Sequence, residues 1–217
     1  MNADGYGVVW YHQGQPGRIA EARPIWYDDH LEATLSVIHS SCIVAALRNG
    51  TPGIPVDRSG LLPMVLDRWS FVLNGFVPDF RRSHMRVLRQ RLPDDLYGAL
   101  TGSSDSETLF LLAVAALRHG ASMLEALASV VDQVAQRVGR EEAQLNMVLS
   151  DGEALAAVRS STVRASNSLY LARQPAVGPG GIVLASEALD TDSVWAMVDG
   201  HSGVHIDAGG EVTMGAL

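Results

Sequence analysis

The 217-residue sequence contains no lysine, so its cationic side chains are arginines and histidines. That excludes a Schiff-base lysine, a pyridoxal phosphate anchor and the lysine of a phosphate-binding loop. Cysteine is nearly as scarce, with Cys42 alone. No internal disulfide can form, which fits a reducing, cytoplasmic compartment. Long apolar runs are missing. The longest apolar-rich stretch, residues 109–117, is far too short to span a bilayer, so no membrane association is expected. The first residues are polar and glycine-rich where a secretory signal would be charged and then apolar. Gly-x-Ser-x-Gly, Cys-x-x-Cys and dinucleotide fingerprints do not occur. His201 and His205 have ligand spacing only on a helix, and Gly200 and Gly203 interrupt one; no metal or other cofactor is expected. Positive charge is in deficit: the net charge of −8 disfavours nucleic acid, whose phosphates demand a basic face. Arg81, Arg82, Arg86, Arg89 and Arg91 cluster on one helical-looking stretch and read as a solvated face.

What remains is the composition of a globular chain, 47% hydrophobic, with neither repeat nor linker, so residues 1–217 read as one domain. Strands are predicted at 7–11, 42–47 and 69–73, the first followed by a turn at 14–17 and the last stopped by Asn74-Gly75, a strong turn signal. Residues 48–60 are loop-like, rich in glycine and proline. Helical spacing marks 29–39 and 78–92. Ser104 with Glu107 makes a capping box ahead of the apolar run, and Ser122 with Glu125 makes a second before Leu124, Leu127, Val131, Val134 and Val138. Strands return at 145–149 and 153–158 around Asp151-Gly152, then at 168–172, 182–185 and on both sides of Gly209-Gly210. Strands, then helices, then strands, without βαβ alternation, indicate an α+β fold.

Four positions could carry chemistry. Arg48 ends an apolar strand, where a guanidinium can grip a carboxylate with two hydrogen bonds or simply be solvated. Asn74 and Gly75 are compatible with an oxyanion hole, or with a plain tight turn. Asp105 opens a helix, where it can complement the dipole or hold an ammonium. Cys42 reads as a small apolar residue on a strand, with nothing nearby to activate it.

The order of these blocks matters more than any one of them. The stretches NADGYGVVWY (2–11), CIVAALRNGTPGIP (42–55), WSFVLNGFV (69–77), SDSE (104–107), LNMVLSDGE (145–153) and VLASE (183–187), with Trp195 behind them, resemble the class II glutamine amidotransferases. These are N-terminal-nucleophile hydrolases, and the chain is most similar to their small stand-alone branch, the ergothioneine-pathway γ-glutamyl hydrolases. The resemblance implies a four-layer αββα sandwich. It implies Arg48 for a γ-glutamyl α-carboxylate, Asp105 for its α-ammonium, and Asn74 with Gly75 for the oxyanion. It also implies hydrolysis of a γ-glutamyl amide, with γ-glutamyl-hercynylcysteine sulfoxide as the small-molecule substrate, through a thioester on an N-terminal cysteine. The lack of an attached synthetase or isomerase domain favours a stand-alone hydrolase over a glutamine-hydrolysing ammonia supplier. A relative without a nucleophile, binding a γ-glutamyl compound or a partner protein, stays open, as does an unrelated α+β domain. A homo-oligomer is compatible with the sequence.

Two departures stand out. Leu73 occupies the place where the family usually has histidine before Asn-Gly. The family also has a few dozen residues, opening with the nucleophilic cysteine and supplying a core strand, ahead of the block that here follows Met1 directly. The expectation is that Met1 is an internal residue and that the natural chain begins upstream with Met-Cys. Intact mass of the protein from its native source should then exceed that of residues 1–217 and rise on alkylation at an N-terminal thiol. A mass matching 217 residues, with Cys42 alone alkylated, would contradict this.

Overall fold

A computed structural model describes residues 4–48, 60–163, 166–176 and 178–217. Asn2 and Ala3, and most of the predicted 48–60 loop, lie outside them. The chain opens with β1 (Gly5–His12) and β2 (Gln15–Glu21), joined through Gln13 and Gly14, both at positive φ as a two-residue hairpin turn requires. The predicted turn at 14–17 therefore closes sooner, and Gly17 belongs to β2. The expected helix at 29–39 is only α1 (Leu31–Leu35); Leu31 is its one buried residue, too little apolar surface to sustain more turns. β3 (Ile43–Arg48), β4 (Met64–Leu66) and β5 (Trp69–Phe76) follow.

The segment expected as one helix over 78–92 is a π-helical turn, Phe80–His84, running into α2 (Met85–Arg89), and α3 (Asp94–Gly98) comes next. Arg89 leaves the solvated face predicted for it. Its Nε donates to Thr108 Oγ1 at 3.0 Å, and its Nη2 donates to the Gly102 carbonyl and lies 3.5 Å from Glu107. The two long helices are α4 (Asp105–Arg118) and α5 (Met123–Val138). Ser122 and Glu125 form the complete capping box expected of them. The Ser104 box is half made. Ser104 Oγ accepts from the Glu107 N–H, but the Glu107 carboxylate turns away to the Thr101 and Gly102 N–H groups, where Arg89 balances its charge.

The tail supplies β6 (Gln144–Ser150), β7 (Leu155–Arg159), β8 (Tyr170–Arg173), β9 (Ile182–Ala185), β10 (Trp195–Met197), β11 (Ser202–Ile206) and β12 (Val212–Ala216). The strands form three antiparallel sheets ordered β12-β11-β7-β6-β5-β4, β2-β1-β3 and β10-β8-β9. One face of the large sheet, with Phe71, Leu73, Leu145, Met147, Leu149, Ala156 and Val158, packs against α4 and α5. The other face takes both small sheets. Val9 and Val44 meet Val72, while Leu169 and Leu171 of the β8 region meet Ala157 and Val204. This is the α+β sandwich that the sequence implied. Among the described residues no helix is long and apolar enough to cross a membrane.

Phe71 is wholly buried and stacks on Phe110 with ring centroids 5.4 Å apart, joining sheet to helix. Phe71→Ala is expected to destabilise the protein by about 3–5 kcal/mol in urea unfolding. A loss under about 1 kcal/mol would show that this contact is not structural.

Candidate functional site

The clearest departure from the sequence reading sits at Asn74-Gly75. The dipeptide makes no turn. β5 runs through it, with Asn74 opposite Asn146 and Gly75 opposite Leu145. Glycine is needed there for close approach: a Cβ at position 75 would stand 1.8 Å from the Gln144 carbonyl oxygen. The turn signal was a packing signal.

Period-2 alternation then decides which side chains meet. Val72 faces the small sheets, so Ser70 and Asn74 face them too. Tyr11 donates its hydroxyl to Ser70 Oγ across the layers at 2.8 Å. Cys42, just before β3, and Val44 on it pack into that interlayer, and Arg48 shares their face at the far end of the strand. Gly60 lies against its guanidinium, and Leu61 against Gly5, the partner of Arg48 on β1. Tyr11 meets Ser70 and Val9 and Val44 meet Val72, so the β1–β3 pair runs along β5 and carries Arg48 towards the Asn74 end. Arg48 and Asn74 therefore enter one interlayer region from opposing sheets. Arg48 Nη1 is buried, with no hydrogen-bond partner among the described residues.

Asp105 arrives from the helix layer. Its Oδ2 accepts from the Val77 N–H at 2.9 Å, just past the end of β5, and its Oδ1 accepts from the Ser106 N–H. Burial pushes its carboxyl above the usual range, and the two backbone N–H groups only partly offset this. The structure shows no contact of Asp105 with Arg48. The two reach the same end of β5 from different layers.

Cys42 is remote. It precedes β3 at the end opposite Arg48, about 20 Å away along the strand. Its Sγ sits 3.3 Å from Ser150 Oγ, and burial pushes the thiol up, away from reactivity.

The sequence reading overlooked a polar group beside Asn74. Asn146 is 3% exposed, and its Nδ2 donates to the carbonyls of Asn167 and Ser168. Gln144 accepts from the Asn167 N–H, and Arg159 donates to the Asn167 carbonyl. Asn167 in turn donates to Asn74. Gln144, Asn146 and Ser150 are buried polar residues on one face of β6, interrupted by Val148, and polar residues recurring at even positions in and beside the predicted 145–149 strand are the signal that could have found them.

A model of the glutamine amidotransferases class II matches residues 1–191. The chain belongs to this family. It is 31% identical to a gamma-glutamyl-hercynylcysteine sulfoxide hydrolase of Mycobacterium tuberculosis (strain CDC 1551 / Oshkosh), over all of this chain and 80% of that protein. A protein of the same name from Mycolicibacterium smegmatis is 30% identical over 90% of this chain and 74% of its own length. Among solved structures, a glutamine aminotransferase class-II domain protein from Silicibacter pomeroyi superposes with a TM-score of 0.78 at 26% identity, covering 98% of this chain and 91% of that one.

The raised Asp105 pKa has a sign for stability. The native state holds the Asp105 proton to a higher pH than the unfolded chain does. Its contribution to stability is thus full below the ordinary aspartate pKa of about 4 and is lost as pH rises through the raised value. Asp105→Asn should remove this slope, so its urea midpoint should gain on the wild type as pH rises through that window. Parallel midpoint curves for the two proteins would contradict the assignment.

Proposed function

We propose that this site is a γ-glutamyl pocket and that the reaction it serves is hydrolysis of a γ-glutamyl amide, with γ-glutamyl-hercynylcysteine sulfoxide as substrate. The observation that carries the reading is the buried Nη1 of Arg48, which has no hydrogen-bond partner among the described residues. A buried guanidinium N–H without an acceptor is costly unless a ligand acceptor arrives, and a carboxylate fits the guanidinium fork. The α-carboxylate goes to Arg48, and the α-ammonium to Asp105, whose buried charge it would relieve. The γ-carbonyl then lies along β5, where the Asn74 amide and the Gly75 N–H are the donors for the oxyanion. The named relatives support the choice of leaving group.

In this reaction a thiolate adds to the γ-carbonyl carbon, the C–N bond breaks, and the amine leaves with a proton. Water then cleaves the thioester and releases glutamate. The thiol is not Cys42, which is half-buried at the other end of β3 with its pKa raised. That same observation favours a second reading, in which the pocket binds γ-glutamyl compounds and releases them unchanged.

Titration calorimetry with a γ-glutamyl amide separates these from a structural role. Arg48→Ala should weaken binding by about 2 kcal/mol, roughly thirtyfold, without lowering the urea midpoint. Glutamate released on incubation supports hydrolysis, and unchanged ligand supports binding alone. Equal affinity in Arg48→Ala and wild type would overturn both.

A further inference from the structure

We infer that Asn167 is a positioning residue that fixes which way the Asn74 amide faces. The inference rests on the oxyanion role proposed for Asn74. A carboxamide presents a donor on one side and an acceptor on the other, and only its Nδ2 can stabilise a developing oxyanion. The exposed Asn74 side chain has little packing to choose between the two. Asn167 makes the choice. Its Nδ2 lies 3.4 Å from both the Asn74 carbonyl oxygen and Asn74 Oδ1, so it donates to the acceptor side and leaves the Asn74 Nδ2 turned away, free for the substrate.

The geometry works because Asn167 itself is held by its backbone. Its N–H donates to Gln144 Oε1 at 2.9 Å. Its carbonyl accepts from Asn146 Nδ2 at 2.9 Å and from Arg159 Nε at 2.8 Å. Arg159 also donates to the Ser166 carbonyl, and Asn146 to that of Ser168, so the residues on each side are tied to the same two strands. Three side chains of the large sheet thus grip a loop residue whose side-chain hydrogen bonds, among the described residues, go to Asn74 alone. The arrangement spends these bonds on orientation, before any substrate arrives, as preorganised charge stabilisation requires.

The test compares two probes in the full protein: L-glutamine, with a planar γ-amide, and the γ-phosphonate analogue of glutamate, a tetrahedral anion. Asn167→Ala and Asn167→Leu both remove the donor and keep the backbone clamp. Each should weaken phosphonate binding by about tenfold or more while leaving glutamine affinity within about twofold, since orientation matters only where negative charge develops. Asn74→Ala should show the same selective loss, and Asn167→Ala should add little to it. Equal losses for both probes would make Asn167 a structural residue and overturn the inference. Unchanged binding of both probes in the Asn167 variants would also overturn it. If the wild type binds neither probe, or binds them independently of Arg48, the γ-glutamyl reading itself fails.

Discussion

Val72, Val148, Ala157 and Val204 form one row across the six-stranded sheet, and the two three-stranded sheets pack on the face that carries this row. This burial is what the rest of the molecule depends on. It removes water from the middle of the interlayer and fixes β1 and β3 over β4 and β5. The same strands turn polar towards one end, where the row next to the apolar one carries Asn74 and Asn146. Cohesion and chemistry are thus neighbouring rows on one sheet face. A one-residue register slip in β5 would send Asn74 to the helix side and Leu73 into the interlayer.

Two charged groups at this end of the sheet are incompletely paired among the described residues. Arg48 brings a cation between the sheets, with a buried nitrogen that no acceptor among the described residues reaches. Asp105 brings a carboxyl whose charge burial disfavours, held by the Val77 and Ser106 N–H groups and the Ser106 hydroxyl, with no cation paired to it among the described residues. By contrast Glu107, two residues along α4, is saturated by Thr101, Gly102 and Arg89. In the proposed reading, the difference between a structural and a ligand-directed charge lies in the unmade bonds.

Most of the architecture was legible in the sequence because it rests on periodicity. α5 and β9 fall where spacing put them, and the capping box at Ser122 forms as expected. Misreadings came where a local signal was overruled by a tertiary one. Asn74-Gly75 has the chemistry of a turn, but the Gln144 carbonyl pressing on Gly75 makes the glycine a contact residue within a strand. Arg89 has the sequence context of a surface residue, yet Glu107 and Thr108 draw it in. β2, β4 and β10 escaped notice because they are short or polar edge strands, stabilised by partners distant in sequence. Arg48, Asn74 and Asp105 were singled out by their order along the chain. Which layer each enters from, and the grip on Asn167, depend on sheet register that no local pattern encodes.

The most direct measurement is a crystal structure of the protein with L-glutamate bound. The account predicts the α-carboxylate on Arg48 at about 2.8 Å, the α-ammonium on Asp105, and the γ-carboxyl against Asn74 and Gly75. Glutamate bound elsewhere, with Arg48 Nη1 still unpartnered, would contradict it.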